Sequence, residues 1–210
     1  MKAISSFLFI ILIYFSASAQ YQNIMISNSG QPEEVAISIN PKNPNIIVAA
    51  CNINKYFYSI NKGLTWTPGT ISSTTYGVWG DPCLLVDTTG AFYFLHLSNP
   101  PLGQWIDRIV SQKSTNDGMN WSNPGTYTYY IPGKQQDKEW GTVDRNNNYI
   151  YVTWTQFDEY GTYNQSDSSN ILFARSTDGG NTWDEAKRIN KIAGDCVDGD
   201  NTVEGAVPCV

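Results

Sequence analysis

Four carboxylates stand at comparable places along the chain. Glu34, Asp81, Glu139 and Glu204 each open an apolar stretch, at successive intervals of 47, 58 and 65 residues. Acids delivered to one place by repeated strands can do general acid/base work on a glycosidic bond, with Asp81 and Glu139 as the candidate catalytic pair. The same oxygens could instead hold a hard cation, or cap backbone amides of a neighbouring segment. Their register is uneven. Glu34 precedes the turn residue Asn40 by six and Asp81 precedes Asp87 by six, but Glu139 precedes Asp144 by five. The third unit therefore has an altered start or uses Asp137.

A second set is aromatic. Tyr76, Trp79, Trp105, Tyr160 and Tyr163 lie in the longest irregular stretches, 76–81, 98–106 and 157–169, with Trp140 just beyond another at 133–139. Exposed rings stack on the apolar faces of sugars, which makes the first five candidate glycan-binding residues. Trp79 and Trp140 could equally plug gaps between sheets. Other chemistries find little support. His96, the only histidine, shares a strand face with Phe92 and Phe94 and reads as core, so a Ser-His-Asp hydrolase has a single candidate. Asp195, Asp198 and Asp200 resemble part of a calcium loop but lack its remaining ligands, and a solvated loop is the plainer reading. Cys51, Cys83, Cys196 and Cys209 contain no Cys-x-x-Cys, so disulfides or buried thiols are expected rather than zinc. No metal or cofactor is expected.

These residues need strands to position them, and the strands are marked by a repeated octapeptide. It occurs as Ser59-Ile60-Asn61-Lys62-Gly63-Leu64-Thr65-Trp66, as Ser114-Thr115-Asn116-Asp117-Gly118-Met119-Asn120-Trp121 and as Ser176-Thr177-Asp178-Gly179-Gly180-Asn181-Thr182-Trp183. Each copy follows a run rich in aromatic and β-branched residues, which predicts a strand, a tight turn and another strand. The Asp or Asn can accept bonds from the turn's amides, Gly permits positive φ, and Trp supplies apolar cover. Before each turn come an inner strand opened by a carboxylate and a second strand, at 46–50, 92–97 and 149–156. Four strands per unit fit a propeller blade with variable loops. On that plan the chain holds three blades and the first strand of a fourth, 204–210, and forms the N-terminal part of a longer ring. Strand alternation then sends the octapeptide turns to one face. The carboxylates and aromatic loops go to the other, at the mouth of a central channel.

The octapeptides resemble the Asp-box, or BNR, repeat of the sialidase-like β-propellers, Ser-x-Asp-x-Gly-x-Thr-Trp. Only the third copy meets the pattern in full. Asn61 and Asn116 replace the Asp, and Asn120 replaces the Thr. The resemblance implies an all-β propeller of four-stranded antiparallel blades and a fold role for the box, away from the active face. It also implies three arginines that clamp a substrate carboxylate, the first in an Arg-Ile-Pro motif, beside a Tyr-Glu pair and an acidic Asp. This chain has no arginine before Arg108 and no Arg-Ile-Pro, and lysine cannot reproduce the bidentate geometry. The resemblance thus reaches the fold and stops short of a typical sialidase.

Residues 1–19 carry Lys2, the apolar run 7–15 and then Ser16-Ala17-Ser18-Ala19, the pattern of a secretory leader, with the propeller segment over 20–210. No later stretch is long or apolar enough to cross a membrane. The formal charge of -6 and pI near 4.6 disfavour nucleic acid as a partner. An extracellular glycan or glycoprotein is the expected partner, bound by a propeller that is either a divergent exo-acting glycoside hydrolase or a non-catalytic interaction or adhesion module.

Overall fold

A computed structural model describes residues 22–30, 32–197 and 201–210. The leader, Asp198 and Asp200 lie outside them. The described chain is all-β, with no helix. Twelve strands form three four-stranded antiparallel sheets, each a simple meander. The first holds β1 (Ala36–Ile39), β2 (Ile47–Cys51), β3 (Lys55–Ser59) and β4 (Thr67–Thr70). The second holds β5 (Gly80–Val86), β6 (Phe92–Leu97), β7 (Ile109–Ser114) and β8 (Thr126–Tyr127). In the third are β9 (Gln135–Val143), β10 (Ile150–Phe157), β11 (Ser169–Ser176) and β12 (Lys187–Arg188). Residues 202–210 join no ladder; Thr153 and Thr155 donate to the carbonyls of Ala206 and Val203, which lays that segment over β10.

The sheets stack face to face, and side-chain alternation explains the packing. In the middle sheet Leu84, Phe92 and Phe94 turn to the first sheet, meeting Val48, Ala50 and Tyr56. Leu85, Tyr93 and Leu95 turn to the third, meeting Ile150, Val152 and Trp154. Because β6 is covered on both faces, all six of its residues are buried. His96 is among them, its Nδ1 2.8 Å from the Leu97 carbonyl and its Nε2 3.0 Å from Gln112 Oε1. Burial holds its pKa down at about 4, which suits a neutral core histidine. The sheets approach closely at Gly141, where an added Cβ would lie 2.7 Å from Leu85 Cδ1.

The three octapeptide turns share one hydrogen-bond scheme. Ser59, Ser114 and Ser176 each accept from the amide four residues on, Gly63 at 2.9 Å, Gly118 at 3.0 Å and Gly180 at 2.9 Å. Each serine also donates to the side chain two residues on, Asn61, Asn116 or Asp178. The glycines take φ of 81°, 79° and 80°, a left-handed conformation that costs glycine nothing. Trp121 reaches beyond its own turn into the core between the first two sheets, edge-on to Tyr56 and Phe94. Trp183 likewise packs into the core between the second and third. None of the four cysteines is in a disulfide; Cys51, Cys83 and Cys196 are buried thiols and Cys209 is exposed.

Candidate active site

Each inner strand begins with the same irregularity. In the second sheet Gly80 pairs with Leu97 and Cys83 with Leu95, so Asp81 and Pro82 together face His96. In the third, Asp137 pairs with Thr155 and Trp140 with Thr153, leaving Lys138 and Glu139 opposite Trp154. In the first, Asn52 N donates to Glu33 O and Ala36 pairs with Ala50, which sets Glu34 and Val35 against Cys51. These are β-bulges, two residues against one, a device that re-aims side chains. The leading residue of each is left-handed: Glu34 at φ 47°, Asp81 at 52° and Lys138 at 50°. Holding non-glycine residues there costs about 1–3 kcal/mol each, and such strain clusters at functional sites.

The bulges correct the register of the third unit. Its equivalent of Glu34 and Asp81 is Lys138, six residues before Asp144; neither Glu139 nor Asp137 takes that place. A cation therefore stands where a third acid was expected. Lys138 Nζ lies 2.8 Å from Glu34 Oε1 and 2.9 Å from Asp81 Oδ2. Asn52 completes the cluster, donating through Nδ2 to Glu34 Oε2 and accepting from the Asp81 amide at 2.7 Å. Sequence reasoning missed Lys138 and Asn52 as site residues. The constant six-residue spacing to the turn was the signal that marks Lys138.

The acids are set apart by environment. Burial and the adjacent Glu34 raise Asp81 to about 7, against the pull of Lys138. Glu34 is held down at about 2 by its hydrogen bond with the Asp81 carboxyl, assisted by Lys138 and Asn52. Asp81 thus carries a proton near neutrality and Glu34 a charge. Asp137 is also raised, by burial first. Glu139 occupies the second bulge position, which holds Val35 and Pro82 in the other sheets. It is 3 % exposed, its carboxyl oxygens have no hydrogen-bond partner beyond its own backbone amide, and burial with the nearby Asp81 pushes its pKa well above its ordinary value. Asp81 and Glu139 line one cavity of about 160 Å³, with Glu34, Lys138 and Trp140.

An adjoining pocket of about 380 Å³ brings three of the five candidate aromatics to the same acids. Trp79, Trp105 and Tyr160 line it with Glu34, Asn52, Asp81, Asp137 and Lys138. Their rings meet edge to face, with centroids 5.7 Å apart for Trp79 and Trp105 and 5.6 Å for Trp105 and Tyr160. Gln135 Oε1 accepts the Tyr160 amide at 2.7 Å and fixes one end of this wall. Trp79 and Trp140 are 39 % and 47 % exposed. Tyr163 is 86 % exposed and stands apart from this pocket. Tyr76 points elsewhere, joining Tyr127 and Tyr130 around the Arg108 guanidinium.

Among the described residues no arginine lines the pocket or the cavity. Arg108 is bonded through Nε and Nη2 to Asp107 at 2.8 and 2.7 Å, Arg175 pairs with Asp184, and Arg188 donates to the carbonyls of Asn190 and Lys191. Among the described residues no group of three or more acidic, histidine or cysteine side chains is arranged to hold a metal ion, and no helix is long and apolar enough to cross a membrane.

No family model matches the chain, and no curated protein does. Solved structures do. Its structural neighbours are glycan-processing enzymes. The Hadza microbial sialidase Hz136 is 16% identical, with TM-score 0.42 over 69% of this chain and 33% of that one. The polysaccharide lyase Uly1 is 11% identical, with TM-score 0.48 over 71% and 41%. The Penicillium chrysogenum alpha-L-arabinanase complexed with arabinobiose is 16% identical, with TM-score 0.48 over 72% and 47%. The match thus spans less than half the length of each of these chains.

Proposed function

We propose that this chain belongs to a secreted, sialidase-like β-propeller whose pocket beside Asp81 binds an extracellular glycan, and that Asp81 donates the proton in glycoside cleavage. In this reading the three sheets are blades, the octapeptides are Asp-box turns, and residues 1–19 are the export leader. One observation carries it: Trp79, Trp105 and Tyr160 border the same pocket as the Glu34 and Asp81 carboxyls. Flat rings offer apolar surface to the C–H face of a sugar, and carboxyls hydrogen-bond its hydroxyls. A proton held by Asp81 up to about pH 7 is available to a leaving oxygen at working pH. The charge on Glu34 beside it favours the positive charge that develops on the ring. The described lining holds no arginine to clamp an acidic sugar in bidentate fashion, and as described it suits uncharged or cationic glycans.

Calorimetric binding of oligosaccharides tests the pocket. Trp105→Ala should weaken binding about tenfold or more, whereas Tyr163→Ala and Tyr76→Ala should leave it unchanged. Asp81→Asn should slow aryl glycosides with poor leaving groups far more than those with good ones, because only the former need the proton. Glycan binding with no cleavage would reassign the protein as a non-catalytic module. Failure to bind any glycan would overturn the reading.

A further inference from the structure

We infer that the cavity at Glu139 takes the protonated amine of an amino sugar, an inference that rests on the glycan reading of the adjoining pocket. Glu139 stands at a bulge position that is apolar in the other two sheets, and its two buried oxygens have no partner beyond its own backbone amide. Leaving such a group unsatisfied is costly, so a carboxyl kept at a position built for Val or Pro points to a ligand that supplies donors. The groups facing it decide which donors. Glu34 comes from the start of β1, Asp81 and Cys83 from β5, and Asp137 and Lys138 from its own strand; Glu204 acts on Asp137 from the C-terminal segment. Lys138, the one cation among them, is already bonded to Glu34 and Asp81.

The charges of Glu34 and Lys138 offset one another, so a cation entering this cavity is balanced when a neighbouring carboxyl gives up its proton. Metal geometry is absent among the described residues. An ammonium fits better, because it brings three donors and a positive charge that stabilises Glu139 as a carboxylate, the form whose oxygens need only donors. A sugar hydroxyl brings one donor, and an acetylated amine brings one donor with no charge. As the ammonium enters, Glu139 releases its proton to the buffer and the contact becomes charge-assisted.

The test is calorimetry on the full chain at about pH 6, in two buffers of different ionisation enthalpy. The probes are glucosamine, N-acetylglucosamine and galacturonate oligomers of equal length. The glucosamine oligomer should bind about tenfold or more tighter than its acetylated form, with release of up to about one proton per site. The acetylated oligomer should release none. Glu139→Gln should bring the two affinities together and abolish the proton release. Equal binding in the unmodified protein, a preference that persists in Glu139→Gln, or tighter binding of galacturonate would each overturn the inference. Binding of the acetylated oligomer without amine preference sinks this inference alone, whereas binding of none of the three also removes the glycan reading beneath it.

Discussion

Lys138 and Asp81 occupy the same bulge position on neighbouring inner strands, and Lys138 Nζ lies 2.9 Å from Asp81 Oδ2. The lysine neutralises a site that three acids would make repulsive, and by pairing with Glu34 at 2.8 Å it ties the first and third sheets to the second. Lys138→Met should raise the pKa of both acids, because the nearby cation that favours their charged forms is lost. The acid limb of the binding or activity profile should move up by about one pH unit. Since the lysine is partly exposed, the stability loss should stay near 1 kcal/mol or below, as checked by urea titration. An unmoved profile would show that the pair does not govern the site.

Stability should depend on pH in a direction unusual for carboxylates. Asp81 is raised from 3.8 to about 7, so the folded state holds its proton more tightly than the unfolded chain does. The stabilisation it gives is complete below about pH 4 and is lost as pH rises through about 7. Glu139 acts in the same sense. Glu34, lowered from 4.5 to about 2, acts oppositely, and its contribution fades only as pH falls from about 4.5 toward 2. Melting temperature should therefore decline from about pH 5 to about pH 8. Asp81→Asn should flatten that decline, by an amount on the order of 1 kcal/mol after screening and the coupling to Glu34. A decline of equal slope in Asp81→Asn would contradict this account.

Asp178 is expected to serve the fold and not the chemistry. Its Oδ1 accepts the Thr182 amide at 2.9 Å and the Asn181 amide at 3.1 Å, and its Oδ2 accepts the Thr182 hydroxyl at 2.6 Å. Asp178→Ala should destabilise by about 1–2 kcal/mol, through loss of these three exposed hydrogen bonds and the one from the Ser176 hydroxyl. Asp178→Asn should cost much less, since Asn61 and Asn116 accept the matching amides of Thr65 and Asn120 at 3.0 Å. Glycan binding should be unchanged in both. Thermal melts paired with calorimetry separate the outcomes, and lost binding at an unchanged melting temperature would contradict the assignment.

If Glu139 holds an amine, it trades stability for function. Glu139→Met, similar in size and free of polar demand, removes a buried unsatisfied carboxyl and should stabilise the protein by about 1–3 kcal/mol. The same substitution should abolish any preference for amine-bearing ligands. A destabilised variant would mean that Glu139 has structural partners after all.

Much of the architecture is local in sequence and therefore legible there. The octapeptide hydrogen bonds join residues two to four apart, and the strand units follow from alternation within six or eight residues. Such features need no knowledge of what lies across the molecule, and the four-stranded antiparallel units could be read directly. The site was legible only in part. That Trp79, Trp105 and Tyr160 share a pocket with Asp81 while Tyr76 turns toward Arg108 depends on how whole sheets stack. So does the ion pair of Lys138 with Glu34, which spans 104 residues. The bulges decided the rest. A two-against-one pairing shifts side-chain direction by one position, so the acid nearest the expected start, Glu139, was carried into the core and Lys138 into the cluster. One-residue register is a property of two strands together, and one strand's sequence does not contain it.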